Sequence, residues 1–182
     1  MKHELEDDIL DVLVSKEEIQ QYTQELADRL TEDYKGRRPL LIGILKGACP
    51  FLCDLMQAMP IDISLDFMSV SSYGASSSST GEVRILKDLD TSVQDREIII
   101  VEDIIDSGNT LFYLKNLLLS RGAKSVELVT LLNKPDRRTR DIEVKYIGKS
   151  IPDHFVVGYG LDFNETYRNL PYIGILKPEV YS

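Results

Sequence analysis

Apolar residues along the chain fall into two alternating periods. Short apolar runs suited to strands buried on both faces occur at Pro39–Leu45, Ile98–Val101 and Ser125–Leu132. Between them, apolar positions recur at helical spacing: Ile19, Tyr22, Leu26 and Leu30, then about Cys49 to Met59, then Leu111, Leu114, Leu117 and Leu118. Ser15-Lys16-Glu17-Glu18 predicts a capping box at the start of the first helix, and Gly36 is its terminator. Arg121-Gly122 predicts the end of the third. Ile61–Val70 alternates, with apolar residues at 61, 63, 65 and 67, and reads as a half-buried strand. Further strands are expected at Glu82–Leu89, Val144–Ile147 and Tyr172–Leu176. Strands alternating with helices predict an α/β fold with a mainly parallel central sheet flanked by helices.

Composition narrows the class. The 182 residues suit one domain with a sizeable core, and 43% hydrophobic with 28% charged residues is ordinary for a globular protein. No apolar run approaches membrane-spanning length and Met1–Asp8 does not resemble a signal peptide, so a cytoplasmic protein without a membrane partner is expected. The net charge of −9 argues against nucleic acid as a partner. Cys49 and Cys53 share a helical face and read as buried thiols, their spacing being wrong for a CxxC pair. Asp136–Asp141 reads as a solvated charged turn, His154 as surface, and Asn164-Glu165-Thr166 as a chance sequon.

The densest chemistry lies at Ile98–Thr110, I-I-I-V-E-D-I-I-D-S-G-N-T. Glu102 and Asp103 stand at the strand's carboxyl end. Asp106, Ser107, Gly108, Asn109 and Thr110 then form a turn ahead of a helix expected from Leu111. Open α/β sheets bind ligands at the carboxyl ends of strands, and such a turn offers amides, hydroxyls and the positive helix end to a phosphate. Carboxylates repel a phosphate but accept hydrogen bonds from hydroxyls, so a sugar phosphate reconciles the two halves. A generic doubly wound domain with an acidic strand end is the alternative.

The same stretch resembles the phosphoribosyl diphosphate signature of type I phosphoribosyltransferases: a hydrophobic strand, two acids, two spacers and D-[ST]-G-x-T. From about Leu13 to Lys177 the chain resembles the hypoxanthine-guanine branch of that family. L-K-G-[AG] at Leu45–Ala48 is similar to its diphosphate loop, which often holds a cis peptide before or at the lysine; position alone would make Lys46 a solvated strand end. Ser71–Gly81 resembles the flexible catalytic loop, and Pro152–Asp162 resembles the P-D-x-[FW]-[VI]-V-G-[YF]-[GA]-[LM]-D block. Without the resemblance, Phe155 and Val156 would be core and Asp162 a turn acid.

The resemblance implies a single phosphoribosyltransferase domain over 1–182, with a core at about 10–150, a lid at about 71–82, and a hood from the N-terminal arm and about 151–182. It implies Mg²⁺-dependent transfer of the 5-phosphoribosyl group from phosphoribosyl diphosphate to N9 of hypoxanthine or guanine, giving IMP or GMP and diphosphate. Glu102, Asp103, Asp106, Ser107, Gly108, Asn109 and Thr110 would hold the phosphoribosyl group, with Asp106 the catalytic acid or base at purine N7. Lys46, Gly47, Ser72, Tyr73 and Arg168 would hold the diphosphate. Lys134, Phe155, Val156 and Asp162 would hold the purine, and Glu102, Asp103 and Asp162 the metal. Lysine donates only, so Lys134 would favour a 6-oxopurine over adenine. A homodimer or homotetramer is implied. The alternatives are a xanthine-guanine relative and an RNA-binding regulator of the same fold.

Overall fold

The computed structural model describes residues 4–72 and 83–182. A short arm ends in β1 (Ile9–Val14), followed by α1 (Lys16–Asp33), β2 (Leu40–Leu45), α2 (Cys49–Ala58), β3 (Ser64–Ser72) and β4 (Val83–Lys87). Then come β5 (Glu97–Ile105), α3 (Asn109–Ser120), β6 (Ser125–Asn133), β7 (Tyr146–Ser150), β8 (Val156–Val157), β9 (Ile173–Leu176) and α4 (Pro178–Tyr181). Six strands form the central sheet in the order β4-β3-β2-β5-β6-β7, parallel except for β4 at one edge. β1, β9 and β8 form a separate antiparallel sheet.

The uninterrupted apolar runs explain the layers. Successive side chains of a strand point to opposite faces, so both faces of β2 and β5 are greasy and need cover. Leu41, Ile99 and Val101 pack with Ile19, Leu26 and Leu30 of α1 and Phe51, Leu52 and Leu55 of α2. Leu40, Ile42, Ile98 and Ile100 pack on the other face with Leu111, Leu114 and Leu118 of α3. Gly43 lets α2 approach the sheet closely, because a Cβ there would sit 2.4 Å from Leu52 Cδ2. The capping box forms as expected: Glu18 N donates to Ser15 Oγ at 3.1 Å, and Ser15 N donates to Glu18 Oε2 at 2.9 Å.

Local expectations shift in several places. β3 starts at Ser64 and turns its even positions inward: Asp66 and Met68 are buried whereas Leu65 is exposed. Asp66 accepts bonds from the amides of Phe67, Asp90 and Thr91, which fixes the return turn after β4. β3 lies between β4 and β2 with its even positions 66 and 68 buried and the odd face only partly covered, so the strand is half-buried as expected but on the opposite face. β7 begins at Tyr146, later than expected, with its hydroxyl on Asp33. Cys49 is exposed and Cys53 half-buried, because α2 buries Phe51, Leu52 and Leu55 on a different side.

Candidate active site

The chain leaves β2 through α2 toward β3 on one side, and leaves β5 through α3 toward β6 on the other. The strand order therefore reverses between β2 and β5, where their carboxyl ends open a crevice. A cavity of about 390 Å³ occupies it, lined by Lys46, Gly47, Glu102, Asp103, the turn from Asp106 to Thr110, Asp162 and Arg168.

β5 runs through Ile105, so Glu102 and Asp103 belong to its last turn of pleat rather than following it. Both side chains are half-buried at the cavity floor. Burial pushes the Glu102 carboxyl well up from its usual range, and the neighbouring Asp103 charge adds to this. Burial also raises Asp103, although bonds from Glu102 and the Ile104 amide and the Arg168 charge pull the other way. Two carboxylates so placed call for a cation or for hydroxyl donors. The Leu45–Lys46 peptide is cis. A Cβ on Gly47 would lie 1.8 Å from Asp103 Oδ2, so a side chain there would push the Asp103 carboxylate out of its place on the cavity floor.

The turn after β5 is shorter than expected, because α3 takes in Asn109 and Thr110. Gly108 caps it with φ +80°, a left-handed conformation that favours glycine, and Ser107 Oγ accepts the Asn109 amide at 3.3 Å. The first amides of a helix have no intrahelical acceptor, so this end is a natural anion site.

The Asp136–Asp141 stretch is solvent-exposed as expected, apart from half-buried Arg138, and it also braces the phosphate turn. Arg138 Nε donates to the Asp106 carbonyl at 3.1 Å, and its Nη2 donates to Asn133 Oδ1 at 2.5 Å. The Thr139 and Arg140 amides both donate to the Ser107 carbonyl, at 3.1 and 3.2 Å, and Arg140 Nε reaches Asn109 Oδ1 at 2.9 Å. This clamp holds the turn from behind. No spacing rule pairs 138–140 with 106–109; only the parallel β5–β6 adjacency does.

A second cavity of about 400 Å³ adjoins the first and shares Ile104, Asp106, Leu161 and Asp162 with it; Lys134, Asp153, Phe155, Val156 and Tyr181 complete much of its wall. Lys134 is buried, its ammonium 3.7 Å from both Asp106 Oδ1 and Asp153 Oδ1. Arg137 anchors Asp153 at 2.9 Å, and that hydrogen bond holds the Asp153 carboxyl below its usual range. Sequence reasoning gave Asp153 no role, although it stands inside the P-D-x-[FW] block. Phe155 is exposed and stacks on Tyr181 with ring centroids 4.7 Å apart. Val156 is buried opposite Ile175 in the β8–β9 ladder, and His154 is exposed.

Arg168 donates to the Gly160 carbonyl at 2.7 Å and pairs with Asp162 at 2.9 Å and Glu165 at 3.0 Å. Asp162 also accepts the Glu165 amide, so it is turned toward Arg168 rather than grouped with Glu102 and Asp103. Among the described residues no three His, Cys, Asp or Glu side chains converge to hold a metal by themselves. Ser72 ends β3, while Tyr73 and the remainder of the expected lid, 73–82, lie outside the described residues. No helix among the described residues is long and apolar enough to cross a membrane.

Comparison with known proteins agrees with this geometry. The family profile described as phosphoribosyl transferase domain matches residues 11–164. The chain is 56% identical to the hypoxanthine-guanine phosphoribosyltransferase of Bacillus subtilis, covering 100% of this chain and 98% of that one. It is 55% identical to the bifunctional protein TilS/HprT of Listeria monocytogenes, of whose length it spans 28% while 98% of this chain is covered. A solved hypoxanthine phosphoribosyltransferase of Staphylococcus aureus superposes with a TM-score of 0.96 at 52% identity, over 100% of this chain and 99% of that one. With a switch-point crevice, a phosphate turn and full-length likeness in sequence and structure, the chain belongs to the phosphoribosyltransferase family, in its hypoxanthine-guanine branch.

Proposed function

We propose that the chain transfers the 5-phosphoribosyl group from phosphoribosyl diphosphate to N9 of hypoxanthine or guanine, releasing IMP or GMP and diphosphate. The observation that carries this reading is the pairing of two adjoining cavities through Asp106: a phosphate-type turn on one side, and a buried Lys134 with an exposed aromatic ring on the other. Amides and hydroxyls of Ser107, Gly108, Asn109 and Thr110 hold the 5′-phosphate. Glu102 and Asp103 accept the ribose hydroxyls and stabilise positive charge developing at C1. The C1–oxygen bond to the diphosphate breaks as the C1–N9 bond forms, and Asp106 handles the proton at N7. Lys134 donates to the 6-oxo group, Phe155 stacks on the ring, and Val156 meets its edge.

Lys46, Gly47 and Arg168 hold the leaving diphosphate, and the family resemblance adds Ser72 and Tyr73 to that set. The carboxylate pair fits Mg²⁺, which binds through one or two carboxylates and takes its remaining oxygens from water and substrate phosphates. When bound, the ion neutralises the leaving group's charge. One domain with a β1-β9-β8 hood over the base, a homodimer or homotetramer, and the cytoplasm as compartment belong to the same reading, supported by the family resemblance.

The test is product analysis with phosphoribosyl diphosphate, Mg²⁺ and hypoxanthine. IMP and diphosphate should appear one to one and neither without the base. Diphosphate release without IMP would refute the transfer.

A further inference from the structure

Glu165 lies in a hairpin turn closed by pairing of Phe163 with Thr166, and Asn164 and Glu165 at its tip have φ of +49° and +62°. Such a tip favours glycine or asparagine. A glutamate there serves its side chain rather than its backbone. The turn is held by the Asp162 carboxylate accepting the Glu165 amide at 2.9 Å, which aims the side chain across the crevice mouth. Its Oε2 lies 2.6 Å from Lys46 Nζ, 119 positions away in sequence, and its Oε1 lies 3.0 Å from Arg168 Nη2. One carboxylate thus ties together the two cations that line the crevice beside Gly47. The pairs are partly open to solvent, with Glu165 62% exposed, so an anionic ligand can compete for them. Arg168 Nε is buried and has no hydrogen-bond partner among the described residues, so the guanidinium retains a donor that Glu165 does not fill.

We propose that Glu165 is an internal stand-in for the diphosphate: its carboxylate ties up Lys46 and Arg168, an incoming diphosphate displaces it, and its return helps expel that group after transfer. The inference rests on the functional reading above, in which these two cations face the diphosphate. The ledger of charge supports it. Glu102, Asp103 and Asp162 also line the crevice and Arg168 already pairs with Asp162 at 2.9 Å, so without Glu165 the Lys46 ammonium is left to face those acids. Glu165 holds the pair at the rim instead, at the cost of weaker diphosphate binding.

The test compares wild type with Glu165→Gln, which keeps length and removes the charge, and with Glu165→Asn, which suits the left-handed backbone and guards against misfolding. Inorganic diphosphate with Mg²⁺, and separately ribose 5-phosphate, are titrated calorimetrically into each protein. Each partly exposed ion pair is worth a few-fold, so both variants should bind diphosphate roughly 3- to 10-fold more tightly. Ribose 5-phosphate affinity should be unchanged, and the KM for phosphoribosyl diphosphate should fall with the diphosphate Kd. Equal or weaker diphosphate binding in both variants would overturn the proposal and make Glu165 a support for the two cations. Wild type that binds ribose 5-phosphate but no diphosphate would remove the cations' role and the inference with it. Binding of neither ligand would sink the underlying functional reading.

Discussion

Replacing Arg138 with alanine removes the centre of the clamp behind the phosphate turn. The guanidinium makes two good bonds, to the Asp106 carbonyl at 3.1 Å and Asn133 Oδ1 at 2.5 Å, and a long one to the Ile142 carbonyl at 3.5 Å. Its methylenes also pack on Gly108: a Cβ built there would lie 3.1 Å from Arg138 Cδ. Hydrogen bonds from a charged donor are worth roughly 1.5–3 kcal/mol each, and water replaces part of that at a half-buried site. A loss of about 2–3 kcal/mol is expected, which for a chain of this size lowers Tm by roughly 5–10 °C. The functional consequence is more specific. The Asp106 and Ser107 carbonyls fix where the turn's amides point, so loosening one of them should raise the KM for phosphoribosyl diphosphate by about 10-fold, with less effect on the KM for the base. Arg138→Lys, which cannot fork between two acceptors, should recover little of the loss. Steady-state kinetics with each substrate varied in turn, beside a thermal melt, read both effects. An Arg138→Ala protein with lowered Tm but unchanged KM for phosphoribosyl diphosphate would show that the clamp is only structural and refute the reasoning.

Two further expectations follow from other parts of the fold. Asp106→Asn should cut kcat by roughly 10²-fold while leaving phosphoribosyl diphosphate affinity nearly intact, read by single-turnover and binding experiments; unchanged turnover would remove Asp106 from proton transfer. Burial penalises the Asp66 carboxylate, but bonds from the Phe67, Thr91 and Asp90 amides outweigh it and leave its pKa lowered from 3.8. Its contribution to stability is therefore complete above the unfolded value of 3.8 and is lost as pH falls through the lower folded value. Asp66→Asn should cost about 2 kcal/mol at neutral pH and progressively less below pH ~4 in denaturant titrations; a penalty independent of pH would contradict this.

The layered architecture was legible because β2, β5 and β6 are apolar on both faces and the helices between them carry clear periodicity and caps. The phosphate turn was legible because its chemistry is contiguous from Glu102 to Thr110. What sequence missed are contacts made across the fold. Arg138 and Arg140 reach 106–109 only because β5 and β6 are neighbours, Asp153 meets Lys134 through a loop returning from β7, and Glu165 crosses to Lys46. Asp66 was missed for another reason: a polar residue in an alternating run reads as solvent-facing, whereas here the amides of a turn satisfy it inside the protein.

The central claim is a 6-oxopurine site beside a phosphoribosyl site, and base selectivity measures it most directly. Initial rates with phosphoribosyl diphosphate and Mg²⁺ should be compared for hypoxanthine, guanine, xanthine, adenine and uracil, in wild type and Lys134→Ala. Wild type should give high kcat/KM for hypoxanthine and guanine, a low value for xanthine, and none measurable for adenine or uracil. Lys134→Ala should lower the oxopurine values and erode the discrimination against adenine. Wild type that prefers adenine, or a Lys134→Ala protein with unchanged selectivity, would contradict the account.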